Sequence, residues 1–444
     1  MRLVIIGNGI SGITSARHFR KNNPQAEILV ISGESDFFFS RTALMYVFMG
    51  HMKFEHTKPY EDWFWEENRI DLLKDWVEKV DFDKKILSCA KKGEISYDKL
   101  VLATGSKPNK MVLEGSESQG IQALYSLQDL EKLEYNTKDV SKAIILGGGL
   151  IGVELAEMLI TRNIEVEFII REDRFWGNVL PEAESELIEG HLRKHKLKLS
   201  FNSSVEQFYA DENGRVKGLK LNDGAQHSCE FVGITIGVSP NISFLKSTKL
   251  EINRGILVNP YLETNIEDVY ALGDCAEFRE ALPGRSQIEQ VWYTGRMMGE
   301  CLGASLSGKK TAYEPGPWFN SAKFFDIEYQ TYGKVGAKLG PAESSFQSVL
   351  TSKAELFHVV FETETRTVVG VNVLGIRLRH ELMDRWLKQG ISLHTLIEQL
   401  PSLDFNPEFG GSWIKAVQAK YTDEFGKNIK SGKKSWIQIL NLIK

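Results

Sequence analysis

Cysteine is scarce in this chain and poorly spaced for chemistry. There are 4 in 444 residues, Cys89, Cys229, Cys275 and Cys301, and no two lie closer than the 26 residues from Cys275 to Cys301. Without CxxC or CxxxxC spacing, neither a local redox dithiol nor a cysteine metal knuckle is expected, and few unpaired thiols suit a reducing, cytoplasmic compartment. Long apolar runs are missing too: none approaches the roughly 20 residues needed to span a bilayer. The chain enters an apolar strand directly after Arg2, so no signal peptide fits. Nor is there excess charge of one sign. With 54 Lys and Arg against 59 Asp and Glu, the net charge of −5 argues against a general nucleic-acid role. The histidines show no metal-ligand spacing with carboxylates, and no metal site is expected. What remains is a chain that is 42% hydrophobic, enough for packed cores and about three domains of ordinary size.

The informative presence is glycine. Gly7-Asn8-Gly9-Ile10-Ser11-Gly12 follows the apolar run Leu3 to Ile6 and opens a helical stretch. In such a loop the first glycine makes a tight turn, the second lets backbone approach a pyrophosphate, and the third lets helix and strand pack closely. The amides and positive dipole end of the helix then meet the phosphates, with Ile10 and Ser11 at its start. A second apolar run, Ile28 to Ile31, ends near Glu34, about 20 residues past the last glycine, where an acid binds ribose hydroxyls. The pattern recurs at Gly147-Gly148-Gly149-Leu150-Ile151-Gly152, between a strand at Ala143 to Leu146 and a helix from Val153. The next strand, Val166 to Ile170, ends in Arg171, Glu172, Asp173 and Arg174. Arg171 and Arg174 lean toward the 2′-phosphate of NADPH; Glu172 argues for NADH. Two such loops mean two dinucleotides, and two dinucleotides on one protein point to electrons passing between them.

The halves echo each other further along. Leu100-Val101-Leu102-Ala103-Thr104-Gly105-Ser106-Lys107-Pro108-Asn109 is matched by Gly233 to Asn241, each an apolar strand, a glycine turn (Gly105, Gly237) and Pro-Asn. This is a repeat of domain size. Later, Val269 to Leu272 runs into Gly273-Asp274, a strand-end carboxylate well placed to accept hydrogen bonds from a polyol.

In this order the motifs resemble those of the two-dinucleotide-binding-domain flavoproteins, the pyridine nucleotide–disulfide oxidoreductase superfamily, over roughly residues 1 to 335. The resemblance implies an α/β protein with two Rossmann-like domains, the NAD(P) domain inserted in the FAD domain, plus a C-terminal α+β domain. It places the FAD domain at 1–112 and 240–312, the NAD(P) domain at 113–239 and an interface domain, often supporting a dimer, at 313–444. It implies FAD on the first loop, with Glu34 on the adenosine ribose, Val77 contacting adenine through its backbone, Ala103, Thr104 and Gly105 beside the flavin, and Gly273 and Asp274 at the ribityl chain. Ser40 and Arg41, in Phe39-Ser40-Arg41-Thr42-Ala43-Leu44, match the segment under the flavin. NADH or NADPH is implied on Gly147, Gly149, Leu150, Ile151 and Gly152, with Arg171, Glu172 and Gly237 nearby. Glu154 matches an acid near the nicotinamide and is the catalytic candidate.

The departures matter equally. Thr42 stands where peroxidases and oxidases of the superfamily carry a redox cysteine, and a hydroxyl cannot cycle through a sulfenate. Cys275 reads as a small buried residue. His394-Thr395-Leu396-Ile397-Glu398 has a spacing one short of the disulfide-reductase His-Glu pair and reads as an ordinary helix start. The branch that remains resembles the rubredoxin, ferredoxin and nitrite reductase flavoproteins, and more distantly apoptosis-inducing factor. There a hydride passes from NAD(P)H to flavin, then electrons go to an external acceptor such as a small iron–sulfur protein. Those relatives often place a lysine near the flavin where Tyr46 stands here. The alternatives are an NAD(P)H oxidase or quinone reductase, and a redox-sensing flavoprotein without turnover.

Beyond the Pro315-Gly316-Pro317 linker, strands are expected at Phe324 to Tyr332, Phe357 to Glu362 and Thr367 to Leu374, and helices at Glu381 to Gly390 and Ser392 to Leu400. Trp63 and Trp65 read as packing residues, Trp292 and Tyr293 as flavin-lining or core. Arg377, Arg379, His380 and Arg385 read as a solvated basic face or a dock for an acidic partner. The last 20 residues carry five lysines and no acid, a pattern for a docked or surface-seeking amphipathic helix.

Overall fold

In the computed structural model, which describes residues 1–350, 353–407, 411–427 and 429, the first apolar run becomes the centre of a five-stranded sheet. Its order is Val269–Ala271, Lys99–Leu102, Arg2–Ile6, Glu27–Ser32, Asp71–Lys74, and every pair is parallel. Leu3, Val4 and Ile5 are wholly buried, as expected of a parallel strand covered on both faces. The second glycine loop leaves an equivalent sheet, ordered Lys198–Ser200, Glu165–Ile169, Lys142–Leu146, Phe231–Ile234, Ile121–Gln122, again parallel throughout. In both, strand order reverses beside the loop-bearing strand, where open α/β sheets hold ligands. Each fold also carries a three-stranded antiparallel sheet, Val77–Asp81, Ile86–Cys89 and Gly93–Ser96 ahead of Lys99–Leu102 in the first, Val205–Ala210, Val216–Leu221 and Gln226–Ser228 ahead of Phe231–Ile234 in the second. The last strand of the first sheet, Val269–Ala271, follows the whole second fold in sequence, so the second is inserted in the first.

The two connections between these folds are the repeated Pro-Asn segments. Ser106–Pro108 and Val238–Pro240 pair with each other antiparallel. The bonds around them are reciprocal: Asn109 N donates to Gly237 O at 3.0 Å and Asn241 N to Gly105 O at 2.9 Å. Both glycines have positive φ, 68° and 91°, the left-handed region that glycine occupies without strain.

The first loop's helix, Ile10–Asn22, is held by Trp292–Ser305. Gly295, Gly299 and Gly303 of the latter form one stripe at i, i+4, i+8. A Cβ on Gly299 would lie 2.6 Å from Ser11 O and 2.8 Å from Thr14 Cβ; on Gly303, 2.5 Å from His18 Cβ and 2.7 Å from Ser15 O. The helices therefore touch backbone to backbone.

The chain forms two compact units, Met1–Trp176 with Leu192–Pro315, and Gly177–His191 with Gly316–Lys444. The second unit contains an antiparallel sheet ordered Phe319–Phe324, Ile327–Gly333, Val368–Leu374, Glu355–Glu362, Glu343–Leu350. Helices His380–Lys388, Leu393–Leu403 and Gly411–Phe425 belong to the same unit, and its core runs from Phe346 and Phe357 through Leu396 and Leu400 to Trp413. The single strand expected over Phe324 to Tyr332 is broken: the chain turns at Phe325, φ 57°. The structure also adds Glu343–Leu350, whose Ser- and Gln-rich run hides its alternation. Glu184, from the Gly177–His191 segment, is completely buried. It is bound by His358 Nδ1 at 2.7 Å and Asn372 Nδ2 at 2.8 Å. Trp65 is buried, but Trp63 is 58% exposed, so only one of that pair is a core residue. Among the described residues no helix is long and apolar enough to cross a membrane. Most of the lysine-rich final stretch, residue 428 and residues 430–444, lies outside the described residues.

Two stability measurements check this packing. Gly299→Ala should lower stability by about 1–3 kcal/mol through overpacking, whereas Gly190→Ala, whose Cβ meets nothing within 4 Å, should be neutral or gain up to about 1 kcal/mol. Equal melting temperatures for the two would contradict the backbone-to-backbone contact. His358→Ala leaves buried Glu184 with Asn372 as its remaining side-chain partner and should cost about 1–3 kcal/mol, read as earlier unfolding of the C-terminal unit by pulsed proteolysis. Unfolding at the parental urea concentration would show that the pair adds nothing to that unit's stability.

Candidate functional site

Close backbone approach shapes the first loop at two of its glycines. Gly7 has φ 117°, and a Cβ there would lie 2.0 Å from Ala103 O; one on Gly12 would lie 2.1 Å from Gly7 O. Gly9 differs. Its φ of −73° suits any residue, and a Cβ there would meet nothing within 4 Å. Neither conformation nor packing asks for glycine at that point, so the open space over its Cα is what the missing side chain preserves. The amides of Ile10 and Ser11 begin the helix and have no intrahelical acceptor. Together these give a concave donor surface that fits a pyrophosphate. Asn8 pins the loop sideways, donating to Ser35 O, Ser35 Oγ and Phe37 O at 3.1–3.2 Å. Gly273 (φ 73°) and Gly295 admit Ser11, whose Oγ lies 2.3 and 2.6 Å from where their Cβ atoms would be.

A chain of polar groups leads away from the loop. Arg41 holds both oxygens of Glu34, at 2.8 and 2.6 Å, and donates to Tyr125 O at 2.8 Å. Its guanidinium lies 4.6 Å from the centre of the Tyr125 ring. Leu127 N also donates to Glu34, at 2.9 Å. Burial opposes the Arg41 charge, but the Glu34 hydrogen bonds and charge outweigh it and hold its pKa above the ordinary arginine value. Asp274 sits in the turn Gly273–Cys275 after Val269–Ala271. It accepts from Ser106 Oγ at 3.0 Å and faces the Tyr125 hydroxyl at 3.5 Å; Gln290 Nε2 donates to Ser106 Oγ at 2.7 Å. Burial raises the Asp274 carboxyl, opposed by Ser106, Arg41 and Tyr125. Burial, with Asp274 beside it, pushes the Tyr125 phenol up to about 12. Yet Arg41 and Glu34 keep 33% and 16% of their side-chain surface accessible. These are charges lining a cleft, not charges sealed in a core.

Of the other expected residues, Ala103, Thr104 and Gly105 directly follow Lys99–Leu102, with Ala103 against Gly7 and Gly105 beside the Tyr125 hydroxyl. Ser40 donates its amide to Thr57 O at 2.9 Å, and its hydroxyl lies 3.2 Å from that of Thr42. Val77 starts the antiparallel sheet in register with Cys89, just after the turn capped by Asp75, which accepts from the amides of Trp76, Lys91 and Lys92. Trp76 lies flat over Gly33, whose Cβ would fall 2.1 Å from its ring.

The second loop repeats the design. Gly147 has φ 108°. A Cβ there would lie 2.6 Å from Thr235 O, one on Gly152 would lie 2.8 Å from Gly147 O, and one on Gly149 would again meet nothing. Gly149 caps the helix Leu150–Ile160 with an ordinary φ of −116°. Leu150 and Ile151 supply the first-turn amides, and Glu154 follows half-buried in the next turn. Arg171 projects with 82% of its side chain exposed and pairs with Glu172 at 3.2 Å. Gly237 is exposed at the crossing.

The remaining motifs are structural. All four cysteines are free. Cys275 is wholly buried, bonds to Leu102 O at 3.3 Å, and burial raises its thiol. His394 Nδ1 lies 3.3 Å from Tyr421 OH. Arg377 is engaged by Glu328 at 2.9 and 3.0 Å and Arg379 by Asp404 O at 3.0 Å. His380 packs 4.1 Å from the Phe319 ring centre. Tyr46 stacks near His51, and Trp292, 38% exposed, meets Tyr293 edge-on. Tyr125, Ser106 and Gln290 carry no signal in the sequence, because they join Asp274 only through folding. The Gly295, Gly299, Gly303 stripe is different: its spacing is visible in the sequence, although no site was expected there.

Comparison with known proteins agrees with this geometry. The family model described as pyridine nucleotide-disulphide oxidoreductase matches residues 1–299. The chain is 31% identical over 318 residues to rubredoxin-NAD(+) reductase of Acinetobacter baylyi, covering 70% of this chain and 79% of that protein. It is 30% identical over 281 residues to nitrite reductase [NAD(P)H] of Bacillus subtilis, covering 63% of this chain but only 34% of that longer protein. Among solved structures, a ferredoxin reductase from Rhodopseudomonas palustris shares the fold with a TM-score of 0.77 at 21% identity, over 84% of this chain and 91% of that one. With its twin loops, its inserted second fold and a match to most of its length, the chain belongs to the pyridine nucleotide-disulphide oxidoreductase family, oxidoreductases that use FAD and NAD(P)H.

Proposed function

We propose that this protein takes hydride from NAD(P)H and passes the electrons to a small iron–sulfur carrier protein. One observation carries the reading: two glycines, Gly9 and Gly149, stand over open space at the starts of equivalent helices, giving two dinucleotide seats in a chain whose four cysteines are spaced for no dithiol. Electrons gathered at the first seat then have no internal thiol pair to go to. The likeness to a rubredoxin-NAD(+) reductase over 79% of that protein supports an iron–sulfur acceptor. The same reading assigns residues 1–112 and 240–312 to FAD, 113–239 to NAD(P)H and 313–444 to an interface domain supporting a homodimer, in a cytoplasmic setting.

Bound FAD would supply the chemistry, accepting a hydride and releasing electrons to a separate carrier. The residues supply position and field. Gly7, Gly9, Ile10, Ser11 and Gly12 would hold the pyrophosphate through amides and the helix dipole. Asp274 would accept hydrogen bonds from the ribityl hydroxyls, beside Ala103, Thr104, Gly105 and Gly273. Glu34 would bind the adenosine ribose, sharing its oxygens with Arg41 or displacing that guanidinium toward the ring, where a fixed positive charge stabilises negative charge that develops. Ser40 and Val77 would offer backbone contacts. At the second seat, Gly147, Gly149, Leu150, Ile151 and Gly152 would hold the nicotinamide cofactor's pyrophosphate, with Gly237 at the crossing. Glu154 would set the nicotinamide's position. Arg171, exposed at the strand end, would meet a 2′-phosphate, and Glu172 beside it would favour ribose hydroxyls instead.

The acceptor is tested by anaerobic reduction with NADPH or NADH, then mixing with a rubredoxin, a ferredoxin, a quinone or dioxygen. Fast transfer to an iron–sulfur protein is expected; faster reoxidation by dioxygen alone would favour an oxidase. Gly9→Ala should leave the melting temperature of the cofactor-free protein within about 1 kcal/mol of parental stability while weakening FAD at least about tenfold, since the methyl enters the phosphate seat. Unchanged FAD affinity would remove the loop from the site. Arg171→Glu should lower the NADPH-to-NADH preference in kcat/KM at least about tenfold; an unaltered ratio would free Arg171 of that role.

A further inference from the structure

Tyr125 has no part in that scheme, yet it touches two of the three charged residues of the first cofactor seat, Arg41 and Asp274. It lies in the connection from Ile121–Gln122, in the second sheet, to the helix Leu127–Asn136. Its carbonyl accepts from Arg41 Nη1 at 2.8 Å and its ring lies 4.6 Å from the guanidinium carbon. Its hydroxyl accepts from Ser106 N at 3.2 Å, and a Cβ on Gly105 would sit 3.4 Å from it. With one lone pair so engaged, the phenolic proton is left for Asp274 Oδ2 at 3.5 Å.

We propose that Tyr125 is a positioning residue of the FAD seat, which donates to the Asp274 carboxylate and keeps it ionised and aimed at the cofactor. The proposal rests on the reading of the first loop as the FAD site. The groups facing Asp274 are Arg41 from the segment after Glu34, Ser106 from the crossing strand and Tyr125 from the linker; Glu34 reaches it only through Arg41. Burial already pushes this carboxyl up, and Ser106, Arg41 and Tyr125 resist that push. Removing the phenolic donor while leaving the ring therefore raises the carboxyl further. A protonated Asp274 accepts poorly from a ribityl hydroxyl, so FAD affinity that depends on the ionised form is lost as pH falls, and is lost at a higher pH without Tyr125. The ring still stacks on Arg41 in Tyr125→Phe, so the variant separates the hydroxyl from packing.

The experiment is FAD titration of cofactor-free protein from pH 5 to 9, followed by flavin fluorescence, for the parent, Tyr125→Phe and Asp274→Asn. The expected result is a midpoint of affinity loss about one pH unit higher in Tyr125→Phe, which makes FAD binding roughly tenfold weaker below the parent's midpoint, and a flat profile in Asp274→Asn. A Tyr125→Phe profile superimposed on the parent's overturns the proposal, as does an Asp274→Asn profile that still titrates. A parent that binds no FAD at any pH sinks the reading of the site itself. Should Tyr125→Phe fold poorly, Ser106→Ala, which removes the other side-chain donor to the same oxygen, must shift the midpoint in the same direction; no shift there overturns the claim that donors to Asp274 set it.

Discussion

Everything in the first fold depends on one close approach of backbone to backbone. The Gly7 carbonyl sits where a Gly12 side chain would be, and the Ala103 carbonyl where a Gly7 side chain would be. Strand, loop and helix are thereby locked at a separation no other residue permits. The stripe Gly295, Gly299, Gly303 extends the same rule to the opposite side of the loop helix. A phosphate seat made of amides has no side chains to adjust, so its precision must come from main chain pressed against main chain. Within the loop Gly9 differs, with space above it and an ordinary φ, which leaves room for the phosphate of the proposed reading.

The second fold copies the first, and the copy shows how the two are joined. The repeated Gly-x-x-Pro-Asn segments meet as a pair of antiparallel strands with reciprocal amide–carbonyl bonds between Asn109 and Gly237 and between Asn241 and Gly105. Both polypeptide crossings pass through this ribbon, and Tyr125 occupies the next stretch of linker. The ribbon begins at Ser106, which binds Asp274. Whatever tilts one fold against the other must therefore act on the ribbon that carries Ser106 and, through it, on Asp274. Such adjacency is what a two-dinucleotide enzyme requires, because hydride transfer depends on sub-ångström placement of two rings held by different folds.

Much of this is legible in the sequence, for definite physical reasons. The loops, their strands and the inserted order can be read because glycines at fixed offsets after an apolar run answer a specific demand, close backbone approach at a helix start, and because both βαβ units repeat them. Asp274 is legible as a strand-end acid. The linking of Glu34 to Arg41, by contrast, is not a motif. Seven residues separate them, and only the turn through Phe37 and Phe39 brings the fork of the guanidinium onto both carboxylate oxygens. Tyr125 is 149 positions from Asp274, and nothing local distinguishes it from any partly buried tyrosine. In the C-terminal unit the strand Glu343–Leu350 is hidden because Ser344, Ser345, Gln347 and Ser348 mask its alternation, and the turn at Phe325 is hidden because a bulky residue at positive φ is unusual.

The charges of the first seat add a final constraint. Arg41, Glu34 and Asp274 line a partly covered cleft, and burial works against the ionised forms of Arg41 and Asp274. A chain selected for stability alone would replace such a group with apolar residues of similar volume at little cost or some gain. Here the pairing is uneven: Glu34 has its counter-charge in contact, whereas among the described residues the side-chain donors that reach Asp274, Ser106 and Tyr125, are neutral, Arg41 acts on it only through its charge, and burial raises its carboxyl. Its environment leaves it short of partners while keeping part of its surface accessible. On the proposed reading, a polyol that brought hydroxyl donors to Asp274 would offset part of that burial cost.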